Sequence, residues 1–166
     1  MITNEQLRAA LLPPAMKHYF DAKLAPLPAD EIDRRIEEAL KYLNMSIHCP
    51  GEIPVSREID ELWHYWILET REYQQLCAKL PGSGFVHHSS ADYAAYFDQD
   101  AQAQKLDVRR GVSILSSYVL NYGPFEPDRV RYWPLASRLM DKMGWDVDQL
   151  NSWLQLPESA PASAAD

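Results

Sequence analysis

The chain has 166 residues, of which 46% are hydrophobic and 24% are charged, a composition typical of one globular domain with a hydrophobic core. Sixteen Lys and Arg residues against 24 Asp and Glu residues leave a formal charge of −8, which disfavours binding to nucleic-acid phosphates. Its apolar stretches are shorter than the roughly 20 residues that span a bilayer, and its first residues lack the pattern of a secretion signal. We therefore expect a soluble, cytoplasmic protein that binds neither nucleic acid nor membranes.

Two helical patterns separated by prolines occupy the start of the chain. Residues 4–12 form a short pattern that begins with Asn4 as its N-cap and ends at a proline pair. A second pattern over 31–44 is capped by Asp30 and repeats apolar residues at helical spacing. Its opposite face carries charges of both signs, which we interpret as a solvated surface: Asp33, Arg34, Arg35, Glu37, Glu38 and Lys41.

A long helix is predicted over 57–80. Ser56 supplies its N-cap, and the sequence Pro-Gly-Ser-Gly from residue 81 ends it. One face of this helix is rich in aromatic and aliphatic side chains, among them Trp63 and Trp66, and is expected to be buried. The helix should therefore lie at the centre of the core, and the short segment up to His88 emerges directly from the turn that follows it.

The C-terminal half shows further helical patterns over residues 91–105, 107–121 and 128–142. The last of these is interrupted at Pro134, and a final helical turn starts at Asp146 or Asp148. These patterns, with no internal repeat and no convincing run of alternating strands, predict an all-α fold. We expect a single-domain irregular helical bundle over 1–154 around the central helix, and a disordered tail over 155–166.

Polar side chains concentrate at one flank of the central helix. Asp60 and His64 are four residues apart, so their side chains can meet. Such a pair can orient a metal ligand or a general base, and it can equally be a local ion pair on an exposed flank. His87 and His88 follow the turn, and in an extended segment they point in opposite directions. We expect the turn to carry one of these two imidazoles back toward Asp60.

Imidazoles beside a carboxylate are suitable ligands for a divalent transition metal such as Zn, Fe or Cu. We take as candidate metal ligands Asp60, His64, His87 and His88. Tyr73 and Cys77 lie nearby on the buried face and are candidate ligand-binding residues, although a cysteine there also packs as a small hydrophobic residue. No nucleophile elbow, Gly-rich phosphate loop or H-E-x-x-H motif occurs in the sequence, so no reaction type is predicted.

A late segment interleaves aromatic residues with arginines. Arg129, Arg131 and Tyr132 could line a pocket for a small anionic ligand or a peptide, because arginine binds carboxylates and phosphates bidentately. The same pattern also suits a loop packed on the core with arginine–aromatic stacking.

The sequence leaves two hypotheses of function open. The first is a metal- or small-ligand-binding protein, with enzymatic activity left open; the alternative is a non-catalytic interaction module that engages a protein partner through its acidic surface and the aromatic loop 118–134.

The central segment resembles the glycine-rich-domain-protein-like family. The resemblance lies in D-x-x-W-H, then T-x-x-Y-x-x-x-C, then two adjacent histidines, and it covers about residues 53–88. It implies a helical fold, no established activity, and shared residues at these positions: Asp60, Trp63, His64, Thr70, Tyr73, Cys77, His87 and His88. Members of that family often have a second histidine two positions after the first, where this chain has Trp66, and the chain lacks a glycine-rich tail.

Overall fold

The computed structural model describes residues 1–49, 53–88 and 108–155, and the regular secondary structure of this part of the chain is all helix. Its helices are α1 Asn4–Leu11, α2 Pro14–Leu24, α3 Ala29–Ser46, α4 Arg57–Leu68, α5 Thr70–Lys79, α6 Val108–Tyr122, α7 Pro134–Met143 and α8 Val147–Leu154. Two short 3₁₀ turns occur at Pro81–Ser83 and Val130–Tyr132. The predicted all-α, single-domain fold is confirmed. No helix within the described ranges has the length and apolar character needed to cross a bilayer.

The start of the chain differs from the prediction in two respects. The N-cap of α1 is Thr3, not Asn4, because the Thr3 hydroxyl accepts from the backbone N–H of Gln6 while the Gln6 side chain accepts from the N–H of Thr3. The following helix, α2, was not predicted, since the proline pair was interpreted only as a stop. Pro14 instead occupies the first turn of α2, where a missing N–H leaves no hydrogen bond unmade.

The predicted helix over 57–80 is two helices. The backbone of Glu69 is not helical, with φ −87° and ψ 69°, and it separates α4 from α5. The apolar stripe continues across the break, and Trp63 and Trp66 are buried as predicted. Thr70, which helical spacing also places on this face, is exposed where α5 begins. The predicted N-cap is confirmed, because the Ser56 hydroxyl accepts from the backbone of α4.

The C-terminal helices agree with the sequence patterns except around Pro134. This proline begins α7 instead of interrupting a longer helix, and a 3₁₀ turn precedes it. Asp146 is the N-cap of α8 and forms a capping box with Gln149. The predicted helix over 91–105 lies outside the described residues, and so does the predicted tail over 155–166 apart from its first residue.

The core is organised around α3 and α4, which make the most extensive helix–helix contact among the described elements. Helices α1, α2 and α6 also pack on α3. The buried Trp66 ring lies edge-on to Phe20 of α2, with ring centroids 5.3 Å apart. The predicted central segment therefore shares the middle of the bundle with α3.

One expectation for α3 is wrong: Glu37, Glu38 and Lys41 are buried, not solvated. Lys41 Nζ lies 2.8 Å from a Glu38 carboxylate oxygen, and Arg129 Nη1 lies 2.7 Å from Glu37. Glu38 also accepts hydrogen bonds from the Tyr118 hydroxyl and, at 2.8 Å, from the indole N–H of a tryptophan. Each buried charge thus has a partner of opposite sign, which is the condition for burying it.

Candidate metal site

Asp60, His64 and His88 form a three-residue cluster on the surface of the bundle. One ligand atom from each of them lies within 4.8 Å of the other two. Asp60 and His64 are one turn apart on α4, whereas His88 comes from the segment that follows α5. Two elements separated by a chain reversal therefore meet at this cluster.

The carboxylate of Asp60 contacts both imidazoles, one through each of its oxygens. Its Oδ1 is 3.1 Å from Nε2 of His88, and its Oδ2 is 3.4 Å from Nδ1 of His64. The two imidazole rings meet edge to face, with centroids 4.2 Å apart. In a tetrahedral site with bonds of about 2.0 to 2.1 Å, neighbouring ligand atoms are about 3.4 Å apart. The distance between Asp60 and His88 is close to this spacing, which also suits a hydrogen bond or an ion pair.

The backbone of α4 helps to orient His64. Its Nδ1 atom lies 2.7 Å from the carbonyl oxygen of Asp60, one turn earlier. In the tautomer with the proton on Nδ1, this nitrogen donates to the carbonyl, and Nε2 carries the lone pair that a metal needs. Hydrogen bonding of the second ring nitrogen is the usual arrangement around histidine ligands in metal sites.

The cluster is open to solvent on one side. The side chains of His64 and Asp60 are 47% and 43% exposed, whereas that of His88 is 17% exposed and partly covered by the core. The His88 ring packs edge-on to Trp63, with centroids 4.6 Å apart. An ion from solution therefore has access to the cluster, while one of its ligands is held against a buried tryptophan.

The segment 84–88 returns to α4 as expected. The turn before it includes Gly82 at φ +76°, a conformation that glycine adopts without strain. The Tyr73 hydroxyl donates to the carbonyl of Val86 and accepts from the indole N–H of Trp63 at 3.0 Å. The expected return of one imidazole to the Asp60 flank is confirmed, and that imidazole is His88.

His87, the other histidine of the pair, lies apart from the cluster. It is exposed, and its ring packs against Phe85 with centroids 4.9 Å apart. It is not among the three residues that could share an ion. The alternation of the extended segment explains the difference, because successive side chains point to opposite sides.

Tyr73 and Cys77, the candidate ligand-binding residues of α5, are both buried. Burial raises the pKa of Tyr73, so its hydroxyl keeps its proton at neutral pH. Cys77 is a free thiol in the core. The structure thus places Tyr73 beneath the segment that carries His88, where its hydroxyl is already engaged by backbone and indole partners.

Arg129, Arg131 and Tyr132 are bonded to acidic residues of α3. Arg129 pairs with Glu37, and the Tyr132 hydroxyl donates to Glu31 at 2.9 Å. The Arg131 guanidinium lies 4.7 Å above the Tyr132 ring, which is the arginine–aromatic stacking of a packed loop. The large aromatic residues of this loop are buried: Tyr118, Phe125, Tyr132 and Trp133. The remaining aromatic residue of this loop, Tyr122, is half-buried, so none of its aromatic side chains is fully exposed.

An apolar groove of about 990 Å³ lies between α6 and α8, and the sequence analysis did not predict it. Val112 and Leu120 line it from α6, and Leu154 lines it from α8. None of the three cluster residues lines this groove. The groove and the cluster are therefore separate features of the surface.

The chain matches the model of the family described as UCP032817-like over residues 3–117. Because this match covers more than half of the chain, the chain belongs to the UCP032817-like family. The assignment to the glycine-rich-domain-protein-like family is wrong: it relied on a motif over about residues 53–88, whereas the family match extends over a much longer range. No curated protein and no solved structure matches the chain.

Proposed function

We propose that this member of the UCP032817-like family binds one divalent transition-metal ion through Asp60, His64 and His88. The observation that carries the proposal is the convergence of two imidazoles and one carboxylate from two separate elements. A pair at i and i+4 arises on any helix, but the third ligand arrives only because the chain reverses after α5 and returns.

The ligand set suits zinc and ferrous iron, with copper as the other candidate. Two histidines and one carboxylate are a ligand set of zinc enzymes and of non-haem iron sites. A site with three protein ligands leaves a coordination position for water or a small ligand, which closed structural zinc sites do not. The exposure of Asp60 and His64 fits such an open position. A bound ion would supply Lewis acidity there.

The same contacts can exist without an ion, as hydrogen bonds or, where an imidazole is protonated, ion pairs that share one carboxylate. Exposed pairs of this kind contribute about 0 to 1 kcal/mol to stability. The two cases differ in whether the cluster binds added metal. A metal site takes up one ion and loses affinity when a ligand is removed, whereas an ion-pair cluster takes up none.

The test is a calorimetric titration of metal-free protein with Zn²⁺. We expect one ion per chain, and at least tenfold weaker binding for His64→Ala and for His88→Ala, because two ligands remain in each variant. His87→Ala is the matched control, since it removes the neighbouring exposed imidazole, and it should bind as the wild type does. Absence of stoichiometric binding, or equal losses in the His87 and His88 variants, would contradict the proposal.

A further inference from the structure

The hydroxyl of Tyr73 joins three parts of the structure beneath the metal site. Tyr73 belongs to α5, and its hydroxyl accepts from the indole N–H of Trp63 in α4 at 3.0 Å. The same hydroxyl donates to the carbonyl of Val86, two residues before His88. Helix α4, helix α5 and the segment that carries the third ligand therefore meet at one buried oxygen atom.

The directions of these two hydrogen bonds follow from the groups involved. An indole N–H only donates, so the Tyr73 oxygen must accept from Trp63. A carbonyl oxygen only accepts, so the hydroxyl proton must point to Val86. Burial raises the pKa of Tyr73 and thereby keeps this proton in place at neutral pH. The hydroxyl thus has one defined orientation.

We propose that Tyr73 is a positioning residue for the metal site: through the Val86 carbonyl, it sets the place of His88 relative to Asp60. The proposal rests on the proposed function in that it treats His88 as a ligand. Residues 84–88 form neither helix nor strand, so backbone ladders do not hold them in place. A ligand must stay within about 0.5 Å of its productive position, and a fixed carbonyl two residues away supplies such a restraint.

Trp63 restrains the ring of His88, whereas Tyr73 restrains the backbone of its segment. The Trp63 ring packs against the His88 ring and limits its tilt, with centroids 4.6 Å apart. The Trp63 indole N–H orients the Tyr73 hydroxyl, and that hydroxyl holds the backbone of the segment. The aromatic motif residues of α4 and α5 therefore act on the site without offering a ligand atom.

The experiment compares wild type, Tyr73→Phe and Tyr118→Phe by zinc titration and by NMR of the histidine rings in the metal-free state. Tyr73→Phe keeps the ring and removes both hydrogen bonds. We expect zinc affinity to fall by on the order of 10- to 100-fold, as for other groups that orient metal ligands. The resonances of His88 should shift toward those of an exposed imidazole.

Tyr118→Phe is the matched control, because it also removes a buried hydroxyl, one that bonds to Lys41 and Glu38. It should lower stability while zinc affinity and the His88 resonances stay as in the wild type. Wild-type affinity and unchanged His88 resonances in Tyr73→Phe would overturn the inference. An equal loss of affinity in both variants would overturn it too, since the effect would then be general destabilisation.

The outcomes separate this inference from the proposed function. If the wild type binds no zinc, the proposed function fails, and the metal-free His88 resonances still decide whether Tyr73 positions the ring. If zinc binds and only the Tyr73 comparison fails, the metal site stands. Should Tyr73→Phe not fold, nuclear Overhauser contacts between the Tyr73 ring and Val86 in the wild type decide: their presence supports the inference, and their absence overturns it.

Discussion

Nε2 of His88 lies 3.1 Å from Oδ1 of Asp60, although 28 positions separate the two residues in the chain. The His88 ring also contacts Trp63, which is buried in the core next to Asp60's flank of α4. The contact therefore depends on the whole reversal that runs through α5 and the turn at Pro81–Ser83. The tertiary fold, and not local spacing alone, assembles this candidate site.

Replacing Asp60 by asparagine should weaken zinc binding by at least tenfold. Asparagine keeps the size of the side chain but removes the negative charge of the carboxylate that contacts both imidazoles. Zinc titration of Asp60→Asn measures the loss, and circular dichroism verifies the fold. The adjacent Glu61→Gln removes an exposed carboxylate outside the cluster and should leave the affinity unchanged. Unchanged affinity in Asp60→Asn would exclude this carboxylate as a ligand.

Substituting Gly82, in the turn that follows α5, should lower both the stability of the fold and the zinc affinity of the site. Gly82 has φ +76°, and a Cβ atom there would meet Ile47 at an ordinary 3.7 Å, so the cost of Gly82→Ala comes from the backbone. We expect the free energy of unfolding to fall by about 1 to 2 kcal/mol and zinc affinity to fall with it, because a relaxed turn displaces His88. Urea denaturation and zinc titration measure the two effects.

The control for the reversal is Gly144→Ala at the end of α7. Gly144 has a similar φ of +67°, and a Cβ atom there would have open space. This variant should lose a comparable free energy of unfolding, about 1 kcal/mol, and keep wild-type zinc affinity. If both glycine variants bind zinc equally well, the turn at Gly82 does not control the site.

Removing Arg129 should be much more destabilising than removing Arg131. The Arg129 side chain is 13% exposed and pairs with the buried carboxylates of Glu37 and Glu38, which Arg129→Ala would leave short of positive charge. Because Glu37 keeps Arg8 and Glu38 keeps Lys41 as partners, we expect a loss of about 1.5 to 3 kcal/mol in the free energy of unfolding. The Arg131 side chain is 53% exposed, so Arg131→Ala should cost less than about 1 kcal/mol. Urea denaturation of the two variants tests the difference. Equal losses would show that burial of the carboxylates that pair with Arg129 does not increase its contribution to stability.

Acid should remove part of the stability through Glu31. Burial opposes ionisation of this carboxyl, but hydrogen bonds from Arg35 and Tyr132 outweigh it and lower its pKa. A carboxyl with a lowered folded-state pKa stabilises the fold above its unfolded pKa of about 4.3, and this contribution is lost as the pH falls through the folded-state value.

The measurement for Glu31 is urea denaturation from neutral pH to about pH 3. The stability advantage of the wild type over Glu31→Gln should shrink as the pH falls through this range. The exposed Glu5 at the start of α1 provides the comparison, and Glu5→Gln should follow the wild-type profile. A constant difference between wild type and Glu31→Gln down to about pH 3 would contradict the assignment.

Helical periodicity predicted much of the fold because it is a local property of the sequence. The apolar stripe through Trp63 and Trp66 was recognised, since its members recur at helical spacing. The break at Glu69 was not recognised, because the apolar residues keep their helical spacing across it. Helix α2 was missed because its buried face consists of only three residues, Met16, Phe20 and Leu24, behind a proline pair. The apolar periodicity of this segment was too short to predict a helix.

Long-range contacts set the limit for predicting the site. The Asp60 and His64 pair followed from spacing, and the alternation of an extended segment indicated that one of two adjacent histidines would join it. The choice of His88 depended on the path of the turn, which spacing does not encode. The burial of Glu38 was unpredictable for the same reason: its partner Arg129 lies 91 positions away.

The most direct test of the metal site is X-ray diffraction at the zinc absorption edge from crystals of zinc-loaded protein. We predict an anomalous peak about 2.0 to 2.2 Å from an imidazole nitrogen of His64, an imidazole nitrogen of His88 and a carboxylate oxygen of Asp60. Zinc bound elsewhere, with no peak among these three side chains, would contradict this prediction.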